Sequence, residues 1–237
     1  VMQYDDDGFL TEAVINYLAR LGWSHGDDEV FSMEQFCAWF DLDHITPSAA
    51  QFNTEKLNWL NAHYIKQADN AALAAMVKPR LEARGVSVTD APSLEAIIGL
   101  YKDRVATLNE LADAAEAFYI DLHPAPELVA QHLTDAARAA LATLKGKLEV
   151  VAWEKAAIAA AIKETCTAHG MKMPQVAIPL RVLLLGQTQT PAIDAVVEVI
   201  DNIIDLTPLP QVARTALHAV THTVARAARS LWGFFFG

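Results

Sequence analysis

The chain has 237 residues, 53% hydrophobic and 20% charged, with only ten Gly and ten Pro; it is long enough to bury a substantial core and is not a disordered or low-complexity segment. Its 29 acidic side chains against 18 Lys and Arg give a formal net charge of -11, which excludes a general nucleic-acid coat. Contact with a polyanion then needs a local basic patch on an otherwise repelling surface.

The apolar spacing is helical almost throughout. Leu10, Ala13, Val14, Tyr17, Leu18 and Leu21 form one stripe ending at Gly22. Ser32 and Gln35 have capping-box spacing, opening a short helix to Phe40. Thr46, Pro47 and Ser48 read as a turn, followed by a helix that carries Leu57, Leu60 and Tyr64 to about Lys66. Asp69 is placed to cap the next helix, which Pro79 should kink and Gly85 end. A loop over 86–92 precedes helices over 93–102 and 107–118, which meet near Arg104. His123, Pro124, Ala125 and Pro126 make the clearest break, and helices over 127–144, 153–168, 175–185 and 192–204 follow, the last opened by Pro191. No period-2 run is long enough for a strand and no heptad is sustained, so the fold class is all-α, a helical array.

Cys37 and Cys166, far apart in apolar helical surroundings, are too few for a disulfide framework or zinc site, which points to a reducing, cytoplasmic compartment. Met2 is followed by Asp5, Asp6 and Asp7, the wrong charge for a signal peptide. The most apolar long stretch, 210–236, carries three arginines and two histidines and does not read as a membrane span. Residues 1–60 hold only Arg20 and Lys56 as cations against eleven acids, so a polyanion-facing surface belongs in the middle and at the end of the chain. No phosphate-cradling glycine motif and no zinc-ligand spacing is present. His63 and His132 read as ordinary helix residues rather than ligands. The acidic runs 5–7 and 27–29 have the chemistry to chelate Mg²⁺, although such runs are more usually solvated loop or helix-start charges.

Several segments go beyond composition. Val1 to Tyr4, Gly8-Phe9-Leu10, Glu12-Ala13-Val14, Asn16-Tyr17-Leu18 and the run Leu21 to Asp27 together resemble bacterial glutamyl-tRNA synthetases. So do Phe52-Asn53 to Lys56-Leu57 with Trp59-Leu60-Asn61, the run Lys102 to Leu111, Lys172 to Gln175 continuing through Arg181, and Thr188 to Pro191. The likeness is collinear from residue 1 to about 200. It implies the C-terminal, tRNA-binding part of a glutamate–tRNA ligase, a class I synthetase. The chain would start just downstream of the catalytic domain, so the sites for ATP, Mg²⁺ and glutamate would lie outside it. The chain alone would hold no cofactor, no metal and no catalytic residue, and would not aminoacylate.

The resemblance also implies site residues. Arg104 stands where the family contacts the third anticodon base, an arginine associated with selecting glutamate over glutamine tRNAs. Arg181 matches a second anticodon-contacting arginine, and Thr190 and Ile193 match two further anticodon-binding positions. The chemistry suits the role: splayed loop bases stack on guanidinium planes and hydrogen-bond to their planar fork. Each has a plainer reading. Arg181, alone in an apolar stretch, can snorkel or pair with a carboxylate; Arg104 has Asp103 as a ready partner; Thr190 can cap the helix after Pro191. Lys145, Lys147, Lys163 and Lys172 read as solvated lysines, and Trp23, Trp39 and Trp59 as packing.

Two departures from the family stand out: Asp5 replaces a basic residue before the glycine turn, and residues beyond about 200 match nothing in it. Over 206–237, Arg214, His218, His222, Arg226 and Arg229 make one stripe opposite Leu217, Val220, Val224 and Leu231. The expected division is 1–123 for stem contact and the first anticodon-binding part, 124–205 for the second anticodon-binding subdomain, and 206–237 for an atypical amphipathic tail. The expected partners are glutamate-specific tRNA and the enzyme's own catalytic domain, with no DNA and no membrane. The rival reading is a detached helical module that associates with proteins or a membrane surface through that tail.

Overall fold

The computed structural model describes residues 2–46, 51–88, 92–120 and 122–201. The expected turn at 46–48 lies partly outside these residues, and the amphipathic tail lies wholly outside them. Among the described residues there are twelve helices and no strand: α1 (Met2–Asp6), α2 (Thr11–Arg20), α3 (Met33–Trp39), α4 (Thr54–Gln67), α5 (Asn70–Ala83), α6 (Leu94–Tyr101), α7 (Leu108–Glu116), α8 (Pro126–His132), α9 (Asp135–Leu148), α10 (Lys155–Ala168), α11 (Met173–Leu185) and α12 (Ile193–Asp201). The extended pairing is a single bridge between Trp23 and Ile45. The all-α expectation is met.

Packing divides the described residues into two compact units that interleave in sequence, those within 1–85 with 101–114, and those within 86–100 with 115–201. The break at 123–126 therefore falls inside the second unit.

In the first unit α2 packs on α4. Leu10, Ala13, Val14 and Tyr17 are buried against Leu57, Leu60 and Ile65, but Leu18 from the same predicted stripe is 45% exposed, because the stripe at its edge turns to solvent. Two buried asparagines join the pieces. Asn61, 0% exposed, accepts from the Leu10 N–H at 2.8 Å and donates to the Ala106 carbonyl at 2.6 Å. Asn16 accepts from the Phe31 N–H at 3.2 Å and donates to the Glu29 carbonyl at 3.1 Å. Beside it an aromatic cluster forms around Trp23, whose ring meets Phe31 and Phe36 edge-on.

Caps read from sequence are in place. Ser32 and Gln35 form the reciprocal capping box at the start of α3. Asp69 accepts from the N–H groups of Ala71 and Ala72 at 2.9 and 3.2 Å, satisfying two orphan donors of α5 and placing a carboxylate at its positive end. Asp69→Ala should destabilise the chain by about 1 kcal/mol, measured by urea unfolding; a change within error would show that α5 is held by burial of Leu73, Val77 and Leu81 alone.

The second unit is built around α10 and α11. α10 packs on α9, α11 and α12, and α11 also meets α8, α9 and α12. Ile158, Ala161 and Ile162 of α10, Leu141 and Leu144 of α9, and Val176, Val182 and Leu185 of α11 are buried. The predicted helix over 127–144 is two helices. Leu133 leaves helical geometry (φ -89°, ψ 62°), and the Thr134 hydroxyl accepts from the Ala137 N–H at 3.2 Å to start α9 afresh. The Thr-Asp pair after His132 is an N-cap signal inside an otherwise continuous apolar period. Glu198 of α12 fastens the start of α10, accepting from the Lys155 N–H at 2.9 Å, while its backbone carbonyl accepts from the Trp153 indole at 3.2 Å.

Candidate nucleic-acid interface

One carboxylate of each acidic run in the first unit meets a cation of the same unit. Asp5 meets Arg80 at 2.7 Å, and Glu29 meets Lys56 at 2.7 Å. The hydrogen bond and charge of Lys56 hold the Glu29 carboxyl below its usual range. Among the described residues no cluster of three His, Cys, Asp or Glu is placed to hold a metal ion. No helix there is long and apolar enough to cross a membrane.

Arg104 sits in the turn between α6 and α7. That turn is held to the end of α4 from two sides: Lys102 Nζ donates to the Ala68 carbonyl at 3.0 Å, and Lys66 approaches Asp103 at 3.6 Å. The carboxylate expected to compete for Arg104 is thus turned toward Lys66. After it, Thr107 accepts from the Glu110 N–H at 3.1 Å and Glu110 accepts from the Ala106 N–H at 2.7 Å, fixing where α7 begins. The Arg104 side chain is exposed and makes no hydrogen bond or ion pair with another described residue. Its charge does reach the buried Tyr101, whose phenol burial pushes up to about 12 while Arg104 pulls the other way.

Arg181 belongs to the second unit, half-buried on α11 among Val182, Leu180 and Leu185. Its Nε donates to the Thr190 hydroxyl at 3.0 Å, and that hydroxyl donates to the Pro191 carbonyl at 2.9 Å. Two of the four expected site residues are therefore in direct contact. Thr190 does not cap α12; the first backbone bond of that helix runs from Val196 to the Ala192 carbonyl at 3.0 Å. Ile193 is 7% exposed and seats the first turn of α12 in the core.

The described arginines separate by what they bond. Arg20 reaches the Asp28 carbonyl and Glu29. Arg80 and Arg84 hold Asp5 and Asp113, and Arg138 donates to the Leu133 carbonyl. Arg104 and Arg181 are the two described arginines that meet neither a carboxylate nor a backbone carbonyl. Among the lysines read as solvated, Lys147 is instead tied to Glu164 at 2.6 Å in a surface ion pair.

Two expectations need correction. Trp59 is not packing: it is 49% exposed on the outer side of α4, with Lys56 Nζ 5.1 Å from its ring centroid, whereas Trp23 is buried and Trp39 half-buried, stacked on His25. A tryptophan in helical spacing reads as core, but here the core face of α4 is Leu57, Leu60, Asn61 and Ile65, and Trp59 lies off it. Likewise Cys37 is exposed, and only Cys166 sits in apolar surroundings, where burial pushes its thiol up. The asparagine pair went unpredicted; the signal was a polar residue on a core-face position.

Residues 72–203 match the family model of an anticodon binding domain, and residues 1–59 match that of the catalytic domain of class I tRNA synthetases (E and Q). The chain thus belongs to the class I tRNA synthetases. Within that class it belongs to the glutamate–tRNA ligase family. It is 74% identical over 200 residues to the glutamate–tRNA ligase of Azoarcus sp., and 70% identical over 200 residues to that of Aromatoleum aromaticum. Each match covers 84% of this chain and 43% of the relative. A solved glutamate tRNA ligase from Elizabethkingia meningosepticum, in complex with its amino acid, superposes with a TM-score of 0.76 at 25% identity, over 96% of this chain and 43% of that one. The chain spans less than half the length of these relatives. The catalytic-domain match extends through residue 59, so the opening segment, expected just downstream of that domain, falls within its family boundary.

Proposed function

We propose that the chain is the tRNA-recognition portion of a glutamate–tRNA ligase and that it reads the anticodon of glutamate tRNA in the cytoplasm. The carrying observation is the sorting of the arginines. The two nominated by resemblance, Arg104 and Arg181, keep the end-on fork of their guanidinium groups free of described carboxylates and carbonyls. A planar fork that no described carboxylate or carbonyl occupies can bond a splayed base edge bidentately. In this reading the first 123 residues brace the tRNA and present Arg104 to the third anticodon base. The second part presents Arg181, with Thr190 beside it and Ile193 supporting α12 from the core. Activation of glutamate with ATP and its transfer would be the work of the part of the relatives that this chain does not span, the chain's natural partner besides tRNA.

The test is fluorescence anisotropy with a glutamate tRNA transcript and with transcripts changed at each anticodon base, at about 50 and 200 mM salt, since phosphate contacts weaken steeply over that range. Arg104→Ala should remove about 1–3 kcal/mol of discrimination at the third anticodon base, and Arg181→Ala a similar amount at the base it reads. Binding that ignores the anticodon in the unaltered chain would overturn the proposal.

A further inference from the structure

The bond between Arg181 and Thr190 assigns the threonine a role different from base contact. A threonine hydroxyl has one proton to donate. Thr190 gives it to the Pro191 carbonyl at 2.9 Å and accepts the Arg181 Nε–H at 3.0 Å. The hydroxyl therefore has no donor left for a base. The guanidinium, by contrast, commits one of its five N–H groups to a described residue, and the four on Nη1 and Nη2, an end-on fork, bond no other described residue.

We infer that Thr190 is a positioning residue, which orients the Arg181 guanidinium so that its Nη1/Nη2 edge faces the anticodon base. This rests on the reading of Arg181 given above. A tight turn and a buried proline flank the clamp. Gly186, left-handed at φ +64°, closes α11 by donating to the Val182 carbonyl at 3.0 Å. The site of a Cβ there is filled by Leu122 Cδ2 at 2.6 Å, and from this turn the chain leads to Thr190. Pro191 is buried, and its carbonyl is a fixed acceptor that sets the rotor of the hydroxyl. A long, rotamer-rich side chain must be ordered to read a base, and holding Nε beforehand lowers that cost in the bound state.

The test compares Thr190→Val, which keeps shape and removes the hydroxyl, with Thr190→Ser, which keeps the hydroxyl, in the full chain. Arg181→Ala and the Thr190→Val/Arg181→Ala pair are measured alongside, with the three sets of anticodon-altered transcripts. Far-UV circular dichroism establishes that each variant is folded. Thr190→Val should reduce discrimination about ten-fold at the same base that Arg181→Ala affects. Thr190→Ser should restore it, and the double variant should be no worse than Arg181→Ala alone. In the free chain, solvent exchange of the Arg181 Nε–H, followed by NMR, should quicken in Thr190→Val and not in Thr190→Ser.

If Thr190→Val matches the unaltered chain while Arg181→Ala loses discrimination, positioning by Thr190 is wrong and the reading of Arg181 stands. An effect that adds to that of Arg181→Ala, or falls on another base, would make Thr190 a direct contact and overturn the inference. If Arg181→Ala changes nothing, both ideas fall together.

Discussion

Replacing Asn61 with leucine should lower the stability of the chain by about 3 kcal/mol or more, although the change adds apolar volume to a core position. Asn61 lies on the face of α4 that buries Leu57, Leu60 and Ile65, and its amide is spent on backbone. The oxygen accepts from the Leu10 N–H at 2.8 Å, at the start of α2. The nitrogen donates to the Ala106 carbonyl at 2.6 Å and lies 3.4 Å from that of Gly8. Leucine would strand an N–H and a C=O in a site that is 0% exposed, where water cannot replace the lost partner. Each stranded group costs about 1–3 kcal/mol, and the added transfer energy of the leucine offsets only part of that. Urea unfolding would give the total. Hydrogen exchange at the Leu10 amide would locate it, since that proton should lose its protection first. A loss below 1 kcal/mol would mean that the three backbone segments find other partners, and that Asn61 is not what joins them.

How much of this was visible in the sequence depends on the range of the interaction. Ser32 with Gln35, Asp69, and the start of α12 after Pro191 are signals within a few residues, and each element stands where its signal put it. The apolar period also gave the class of fold. It failed where a local cap interrupted it, as at Thr134, and where helix rotation mattered more than residue type, as at Trp59. The site was legible as residue identities only: resemblance nominated Arg104, Arg181, Thr190 and Ile193 without saying how they are arranged. That Thr190 holds Arg181 depends on a left-handed turn at Gly186 that brings together residues nine apart. That Asp103 faces Lys66 rather than Arg104 depends on α4, more than thirty residues earlier. Spacing cannot show bonds of that length.

Gly8→Ala should be as damaging as the loss of Asn61, through the same junction. Gly8 has φ +85°, a conformation that costs an L-residue roughly 1–2 kcal/mol. A Cβ there would stand 2.8 Å from the Asn109 backbone nitrogen and 3.1 Å from that of Leu108. These atoms belong to the first turn of α7 and cannot rotate aside. The helix start is itself fastened to the glycine turn: Leu108 N–H donates to the Gly8 carbonyl at 2.9 Å, and Asn109 Nδ2 donates to that of Asp6 at 2.7 Å. Overpacking of this kind costs about 1–3 kcal/mol, so the sum is about 3 kcal/mol. Gly26 separates the two causes, because its φ is +53° but no atom lies within 4 Å of its Cβ site. Gly26→Ala should therefore show the conformational part alone, about 1 kcal/mol. Because α7 begins four residues after Arg104, pushing its first turn outward should also blunt selection at the third anticodon base in whatever fraction remains folded. Equal losses for Gly8→Ala and Gly26→Ala in urea unfolding would refute the close approach of the glycine turn to α7. A larger loss at Gly8, with weakened base selection, would show that the opening residues of the chain hold the Arg104 turn in place.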